Sequence, residues 1–471
     1  MEILDRDAVD ILADLRAGEL TCEALMAATL DRIAAVNEAV NAIVSLRNSD
    51  SLMAEARAAD TVPMSERGAL HGLPFAVKDL ARVAGILHTD GSPLFADRLA
   101  DADETMVARL RAAGVIFIGK TNVPEFGLGS HSYNSVFGVT RNPYDPSRTA
   151  GGSSGGAAAA VAMRMVALAD GSDMMGSLRN PAAFCNIYGF RPGWGVVPRE
   201  PGSETFLQQL STLGPMARSP RDLARLMSVI AGPNPLVPHN APDQSWRLDP
   251  PETLKGLRIG WLGDWGGAYV MEPGVSTLCE AGLAASGAEI DTVAPPFPAE
   301  ELWQSWTTLR QWAVAAEHGA LFKDDATRDS LKPEARWEIE HGLALDAMDI
   351  SRAGAIRARW YERLAELLRT YDALALPISQ VWPFPADWDW PREINGQAMD
   401  TYHRWMEVVV PVSLAGVPAI SLPVGFGENG LPMGVQLFTA KGRDLDLLSW
   451  AQTWHRATNW PEKTIPHIQA G

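Results

Sequence analysis

A run of very small residues between two glycine- and serine-rich loops constrains the fold of this chain most. Residues 151–156 read GGSSGG and are followed by AAAAVA, and residues 171–177 read GSDMMGS. Glycine and alanine have little or no side chain, so a helix built from them can pack with its backbone close to its neighbours. We therefore predict a short buried helix flanked by two polar loops, an arrangement that brings Ser153 and Ser177 together.

The first loop does not match either of the common phosphate-binding patterns. A P-loop requires GK[ST] after its glycines, whereas alanines follow here. A dinucleotide-binding loop requires GxGxxG directly after a strand. The segment PYDPSRTA, which precedes this loop, does not have the pattern of a strand. We therefore do not expect a nucleotide cofactor, and the glycines indicate at least a tight turn.

The second loop has the pattern of an acyl-transfer site. Small residues beside Ser177 leave its hydroxyl open to a ligand. The successive backbone N–H groups of Met174, Met175, Gly176 and Ser177 can converge on one oxygen, which is what an oxyanion site requires. The loop pattern alone is common, so the assignment depends on a base elsewhere in the chain.

A nucleophilic serine needs a base, and a lysine is the best candidate. None of the nine histidines lies in a comparable small-residue loop, and we do not expect His71 or His131 to be the base. Lys78 lies near the end of LPFAVKDL, which predicts a buried strand. Burial favours the neutral amine, which can accept a proton. A structural ion pair of Lys78 with Asp79 or Asp173 is the alternative interpretation.

Composition excludes several classes of protein. The net charge of −17 argues against binding to nucleic acid or to anionic membranes. The cysteines Cys22, Cys185 and Cys279 are too far apart to indicate a zinc site or a disulfide framework. Cys185 lies close enough in sequence to Ser177 to line the same site. We find no secretory signal and no apolar run of the ~18 residues that span a membrane, so we expect a cytoplasmic enzyme.

The alternation of predicted strands and helices indicates an α/β fold. We expect one domain over residues 1–471, with a central mixed, mostly parallel β-sheet covered by helices on both faces. Residues 1–60 are predicted to be helical, and residues 61–232 contain the core with both loops. Residues 295–400 are predicted to be a variable helical and loop region that shapes the substrate cleft, and some of its tryptophans, such as those in VWPFPADWDWP, are candidates for the cleft wall.

Later parts of the chain contain further predicted elements. Strands are predicted at 257–262, 372–376, 418–424 and 433–438. Helices are predicted at about 219–231, 273–286, 300–318, 334–346, 350–370 and 443–456. Proline-rich stretches at 233–251 and 377–391 are typical of surface loops.

Several of these segments together resemble the amidase signature family. The resemblance rests on HGLPFAVKDL, on GGSSGG with the following GSDMMGSLRNPA and GFRP, and on YDALALP, AGVPAISLPVG and GLPMGVQLF. It implies hydrolysis of carboxylic amide C–N bonds by a Ser-cisSer-Lys triad through an acyl-enzyme. By this resemblance Lys78 is the general base, Ser153 the bridging serine that follows a cis peptide bond, and Ser177 the nucleophile. Asp173 and Arg179 correspond to supporting residues of the signature.

The resemblance also implies a substrate pocket and a class of substrate. The pocket residues are Gly127, Leu128, Gly129, Ser130 and Tyr133. Mostly small or apolar residues favour aryl or apolar amides, and the same relay can attack esters and carbamates. The family mechanism needs no metal and no cofactor. We expect a small-molecule substrate and a monomer or homodimer.

This chain departs from the family pattern at three positions. Met175 replaces a glycine beside the oxyanion site, and we expect its side chain to influence the pocket. Ser172 replaces a threonine, which keeps the hydroxyl, and Arg191 replaces a lysine.

Two other functions stay open. One is the amidase subunit of a tRNA-dependent amidotransferase, and the other is a catalytically inactive binding protein on the same fold.

Overall fold

The computed structural model describes residues 2–200, 205–207 and 209–467. In this part of the chain the α-helices are α1 (Ala8–Ala17), α2 (Cys22–Val40), α3 (Ser49–Asp60), α4 (Thr105–Ala112), α5 (Gly155–Ala162), α6 (Arg179–Phe184), α7 (Pro220–Ile230), α8 (Val275–Ala284), α9 (Ala299–His318), α10 (Asp325–Ser330), α11 (Pro333–Leu343), α12 (Ala347–Leu367), α13 (Val410–Ala415), α14 (Asp444–Thr458) and α15 (Trp460–Lys463). None of the helices described there is long and apolar enough to cross a membrane.

Within the same described residues, the strands form one large sheet, one small sheet and two short hairpins. They are β1 (Ile43–Val44), β2 (Pro74–Lys78), β3 (Ile116–Thr121), β4 (Tyr133–Asn134), β5 (Gly138–Val139), β6 (Leu168–Asp173), β7 (Tyr188–Arg191), β8 (Thr212–Ala217), β9 (Arg258–Trp261), β10 (Glu289–Thr292), β11 (Ala373–Pro377), β12 (Glu393–Ile394), β13 (Gln397–Ala398), β14 (Ala419–Phe426) and β15 (Pro432–Phe438).

The large sheet confirms a single α/β domain with a mixed sheet. Its eight strands have the order β10-β9-β11-β15-β14-β7-β8-β6. The expected predominance of parallel strands is wrong. Strand β9 pairs in parallel with β10 and β11, whereas the other neighbours are antiparallel. Two arrangements account for the antiparallel pairs: β14 and β15 form a hairpin, and β8 lies between β6 and β7.

The small sheet, of order β1-β3-β2, carries one side of the site. Strand β2 pairs in parallel with β3 and lies beside β6 of the large sheet. Every residue of β2 is buried, and its last residue is Lys78. The prediction of a buried strand that ends near Lys78 is therefore confirmed.

The predicted helices and strands agree with the structure to within a few residues after position 219, but the region between the two loops differs. The buried helix is α5, and all its residues are buried. The second loop does not follow α5 directly, because β6 lies between them. The sequence of β6 (LADGSD) contains aspartate and glycine and that of β7 (YGFR) contains glycine, and both residue types are uncommon in strands, so hydrophobic patterning does not reveal these strands.

Candidate active site

Lys78 projects from the end of β2 into a group of serine hydroxyls. Its Nζ donates to the Oγ atoms of Ser153 and Ser154, each at 2.8 Å, and to Ser172 Oγ at 3.0 Å. Burial lowers the pKa of Lys78 to about 7, and the nearby charges of Asp170 and Asp173 only partly offset this effect. An amine with this pKa is neutral in a large fraction of molecules near pH 7 and can accept a proton there.

Ser153 lies at the start of the turn that leads into α5. The peptide bond between Gly152 and Ser153 is cis, which agrees with the expectation from the resemblance. The loop is held by Ser130, whose hydroxyl donates to the carbonyl of Gly152 at 2.6 Å. The hydroxyl of Ser153 is thereby placed against the Lys78 amine.

Ser177 lies on the loop after β6 and lines the same cavity as Lys78 and Ser153. The cavity has a volume of about 380 Å³. The loop is joined to the first one by a hydrogen bond from the N–H of Ser154 to the Ser177 carbonyl, at 3.3 Å. Among the residues that the structure describes, no hydrogen bond links the Ser177 hydroxyl to Ser153.

The backbone of the second loop offers N–H groups close to Ser177. The N–H of Gly176 donates to the Asp173 carboxylate at 2.8 Å and is therefore not free. The N–H groups of Met174, Met175 and Ser177 donate to no acceptor in the described ranges. Three of the four expected oxyanion donors are thus available for a ligand oxygen.

Asp173 holds the second loop between two arginines. Its carboxylate accepts from Arg179 Nε and Nη2, each at 3.0 Å, and from Arg191 Nη1 at 3.2 Å, and it also accepts the backbone N–H of Leu178. All three ionised side chains are fully buried. The two guanidinium groups hold the pKa of the Asp173 carboxyl well below its usual range even though burial acts in the opposite direction. These contacts fit the supporting role expected for Asp173 and Arg179.

The expected pocket residues divide into two groups. Gly127 and Leu128 line the cavity, and a Cβ atom at Gly127 would lie 3.4 Å from Ser153 Oγ. Gly129, Ser130 and Tyr133 are not among the lining residues. The chain turns away after Leu128, since Ser130 bonds back to Gly152 and Tyr133 pairs with Val139 in the β4–β5 hairpin.

The side chains of the two methionines point to different surroundings. Met175 is buried in the hydrophobic core and does not line the cavity, so an influence of its side chain on the pocket stays a prediction. Met174 lines the cavity instead, and its Sδ accepts from Arg310 Nη1 at 3.3 Å.

Neither of the histidines weighed as a base lies in the cavity. His131 is buried, hydrogen-bonds Thr149 and the Ala386 carbonyl, and has its pKa lowered to about 4 by burial. His71 contacts the Ala59 carbonyl. Cys185 is also outside the cavity, because its Sγ faces the Ala150 carbonyl in the core.

The walls of the cavity come from several distant segments. Helix α9, within the region 295–400, contributes Arg310, Ala313, Val314, Glu317 and His318 to the cavity lining. The proline-rich stretch with its tryptophans does not line the cavity, although Trp194 does. Further apolar lining residues are Leu80, Phe126, Val197 and Leu213.

Sequence reasoning missed Ser154, Asp170 and Arg310. Ser154 is as close to Lys78 as Ser153 is, and its adjacency to Ser153 was the available signal. Asp170 accepts the backbone N–H of Lys78 at 3.0 Å, and its place two residues before Ser172 puts both on one face of β6. No three His, Cys, Asp or Glu side chains are grouped as metal ligands in the described residues.

Known proteins resemble this chain over nearly its whole length. The family model described as Amidase matches residues 24–448. An acylamidase of Rhodococcus erythropolis is 32% identical over 469 residues, which cover 97% of this chain and 96% of that protein. One subunit of the glutamyl-tRNA(Gln) amidotransferase of Chloroflexus aurantiacus is 35% identical over 485 residues, covering 95% of this chain and 96% of that protein.

Solved structures agree with these relatives. A bacterial aryl acylamidase of the amidase signature family has a TM-score of 0.89 and 26% identity, with 98% of both chains covered. The substrate complex of 6-aminohexanoate cyclic dimer hydrolase has a TM-score of 0.86 and 26% identity, with 98% of this chain and 99% of the other covered. This chain therefore belongs to the amidase family, carries the amidase signature, and is an amide-hydrolysing enzyme.

Proposed function

We propose that this enzyme hydrolyses aryl or apolar carboxylic amides through an acyl-enzyme on Ser177. One observation carries the proposal: a buried lysine amine lies 2.8 Å from Ser153 Oγ, in the same cavity as Ser177. A neutral amine beside a hydroxyl can remove its proton.

The proposed reaction begins with proton transfer through the relay. Neutral Lys78 takes the proton of Ser153, and Ser153 takes the proton of Ser177 as the Ser177 Oγ attacks the carbonyl carbon. The C–N bond then breaks, the amine leaves with the proton that Ser153 returns, and Ser153 takes its own proton back from Lys78, which is neutral again. Water attacks the resulting ester and releases the acid and the Ser177 hydroxyl. The Ser153–Ser177 contact forms with substrate bound, as catalytic hydrogen bonds often tighten only in the complex.

The free backbone N–H groups of the second loop complete the chemistry. We propose that Met174, Met175 and Ser177 donate to the oxyanion that forms when the carbonyl is attacked. Gly176 serves only as a shared donor, because Asp173 already accepts its N–H. The Asp173 contacts with Arg179 keep the loop in this geometry.

The cavity supports the choice of substrate class. Its volume of about 380 Å³ suits a small molecule. Phe126, Leu128, Val314 and Leu213 make parts of its wall apolar, while charged side chains line other parts. Anilides and other aryl amides fit this size and bring an apolar ring to the apolar wall, and esters and carbamates of the same shape are further candidates. A cytoplasmic location stays a prediction from the sequence.

The experiment measures turnover of acetanilide-type substrates, esters and carbamates by the purified chain. Ser177→Ala is expected to lower kcat by at least ~10³-fold while the circular dichroism spectrum stays unchanged. Ser228→Ala, a change on an exposed helix face, is the matched control and is expected to keep wild-type activity. Full activity in Ser177→Ala would contradict the proposal.

A second candidate is an amidotransferase subunit, which the 35% identity to such a protein favours. That function predicts glutamine hydrolysis that depends on partner chains. Hydrolysis of glutamine only after addition of the partner chains of such an enzyme would replace the first proposal with this one.

A further inference from the structure

A buried arginine lines the cavity and contacts the loop that holds Ser177. Arg310 lies on α9, and its side chain is only 4% exposed. Two of its nitrogens have strong partners, since Nε donates to Glu338 Oε1 at 2.5 Å and Nη2 donates to the Tyr402 hydroxyl at 2.7 Å. These contacts fix the plane of the guanidinium.

The charge of Arg310 is already neutralised by Glu338. Burial would raise the pKa of Glu338, but Arg310 and further hydrogen bonds, including one donated by Tyr402, lower it to about 2. The pair is therefore ionised and formally neutral. A substrate group does not meet an uncompensated positive charge here.

The third nitrogen, Nη1, has a poor partner. Its recorded contact in the described residues is the thioether Sδ of Met174, at 3.3 Å. Sulfur of this kind is a weak acceptor, so a buried N–H donor gains by exchanging it for an oxygen. Both Met174 and Arg310 line the cavity, and the Met174 side chain is flexible enough to move aside.

Arg310 Nη1 is connected to the loop that holds Ser177 through its contact with Met174. Met174 contacts it through the side chain, and the backbone N–H of the same residue is a proposed oxyanion donor. Met174, Ser177 and Arg310 all line the same cavity. A substrate bound to Ser177 therefore lies in the cavity that Arg310 lines, with another part of its structure available to Nη1.

We propose that Arg310 is a specificity-determining residue that donates from Nη1 to an uncharged oxygen of the substrate, such as a second carbonyl outside the scissile group. This inference rests on the proposed function. An uncharged oxygen suits Nη1 better than a carboxylate, because Glu338 already balances the charge of Arg310. The preferred substrates are thus apolar amides that carry one additional acceptor.

The test compares pairs of isosteric anilides. In the first pair, p-(2-oxopropyl)acetanilide and p-isobutylacetanilide, the members differ by a ketone or a hydrocarbon group in the amine half. In the second pair, the anilides of 4-oxopentanoic and 4-methylpentanoic acid, the same difference lies in the acyl half. The quantity measured is the ratio of kcat/KM for ketone over hydrocarbon, in wild type and variant. Differences in the intrinsic reactivity of the two anilides cancel when the ratio for the variant is compared with the ratio for wild type, because both enzymes act on the same two substrates.

Arg310→Lys keeps a positive charge beside Glu338 and removes Nη1. We expect the ratio to fall about 10-fold in at least one pair, through KM, while turnover of the hydrocarbon member changes less than about 3-fold. Arg404→Lys, at a cation that does not line the cavity, should leave the ratio unchanged. An unchanged ratio in Arg310→Lys, or an equal loss for both members, overturns the inference.

A second variant keeps Arg310 in place. Met174→Leu removes the thioether that competes for Nη1, so the ratio is expected to rise. A ratio that stays the same or falls contradicts the inference even if Arg310→Lys fails to fold. Failure of the proposed function gives a different result, which is no turnover of either anilide by wild type, or turnover that survives Ser177→Ala.

Discussion

At the scale of single residues, the site depends on the burial of one lysine, which removes its amine from water. Lys78 is buried at the end of β2, and burial lowers its pKa to about 7 against the opposing effect of two carboxylates. The contacts with serine hydroxyls are compatible with both the protonated and the neutral amine, because a hydroxyl can donate or accept a hydrogen bond. The same side chain on the surface would stay protonated at neutral pH and could not serve as a base.

The pKa of Lys78 predicts the pH dependence of activity. Below about pH 7 the amine is protonated and cannot accept a proton, and above it the amine is neutral. We expect kcat/KM to rise about tenfold per pH unit below pH 7 and to level off at higher pH. Initial rates on an anilide between pH 5 and 10 check this, and a flat profile from pH 6 to 10 would contradict it.

Asp170 provides a way to move that profile. Its charge raises the pKa of Lys78, and its Oδ1 accepts the Lys78 backbone N–H. Asp170→Asn removes the charge and keeps an acceptor in place, so the midpoint of the acidic limb is expected to shift to lower pH. Asp90→Asn, another carboxylate of the cavity wall, is the matched control with no expected shift. A shift to higher pH, or none, would show that Asp170 does not act on Lys78 through its charge.

At the scale of elements, close backbone approach explains the small residues of α5. A Cβ atom added at Gly156 would lie 2.3 Å from the backbone nitrogen of Asn122 and 2.7 Å from the Ala42 carbonyl oxygen. Glycine therefore lets α5 pack directly against the β3 end and the segment before β1. This packing keeps Ser153, just before the helix, at a fixed distance from β2.

Gly156→Ala tests this packing. Because the neighbours are backbone atoms that cannot turn aside, we expect the free energy of unfolding to fall by about 2 kcal/mol or more. Gly354→Ala is the control, since a Cβ there meets nothing within 4 Å. In the interior of α12 it should stabilise the protein by up to ~1 kcal/mol. Chemical denaturation measures both, and equal midpoints for the two variants would refute the packing argument.

Sequence patterns predicted these elements unevenly. The buried strand that ends near Lys78 and the alanine-rich helix follow from short local patterns, and both are present. Strand β6 was not predicted, although it carries Asp170 and Asp173. Its polar and glycine residues are stabilised by pairing with β8 and by the two buried arginines, which are contacts between distant parts of the chain.

At the scale of the whole molecule, the site forms where separate segments meet. Strand β2 supplies Lys78, the turn before α5 supplies Ser153, and the loop after β6 supplies Ser177. Helix α9, more than a hundred residues later, closes the cavity with Arg310. Local sequence patterns predict Lys78, Ser153 and Ser177 because each of them lies in one short motif. Local patterning also predicts helix α9, but the order of the sheet and the position of Arg310 in the cavity wall depend on tertiary packing.

A domain that forms the cavity from its own segments should work alone. We expect the purified chain to hydrolyse anilides without added protein, at a specific activity that does not change with enzyme concentration. Rates over a hundredfold range of enzyme concentration measure this. Activity that appears only with a partner chain, or only with glutamine, would favour the amidotransferase alternative.

Covalent labelling tests the central claim most directly. An aryl-free fluorophosphonate is incubated with wild type, Ser177→Ala, Ser153→Ala and Lys78→Met, and intact mass with peptide mapping locates the adduct. We predict one adduct on Ser177 in wild type, none in Ser177→Ala, and labelling slowed by at least ~100-fold in the other two variants. An adduct on Ser153, or labelling of Ser177→Ala at the wild-type rate, would contradict the assignment of Ser177 as the nucleophile.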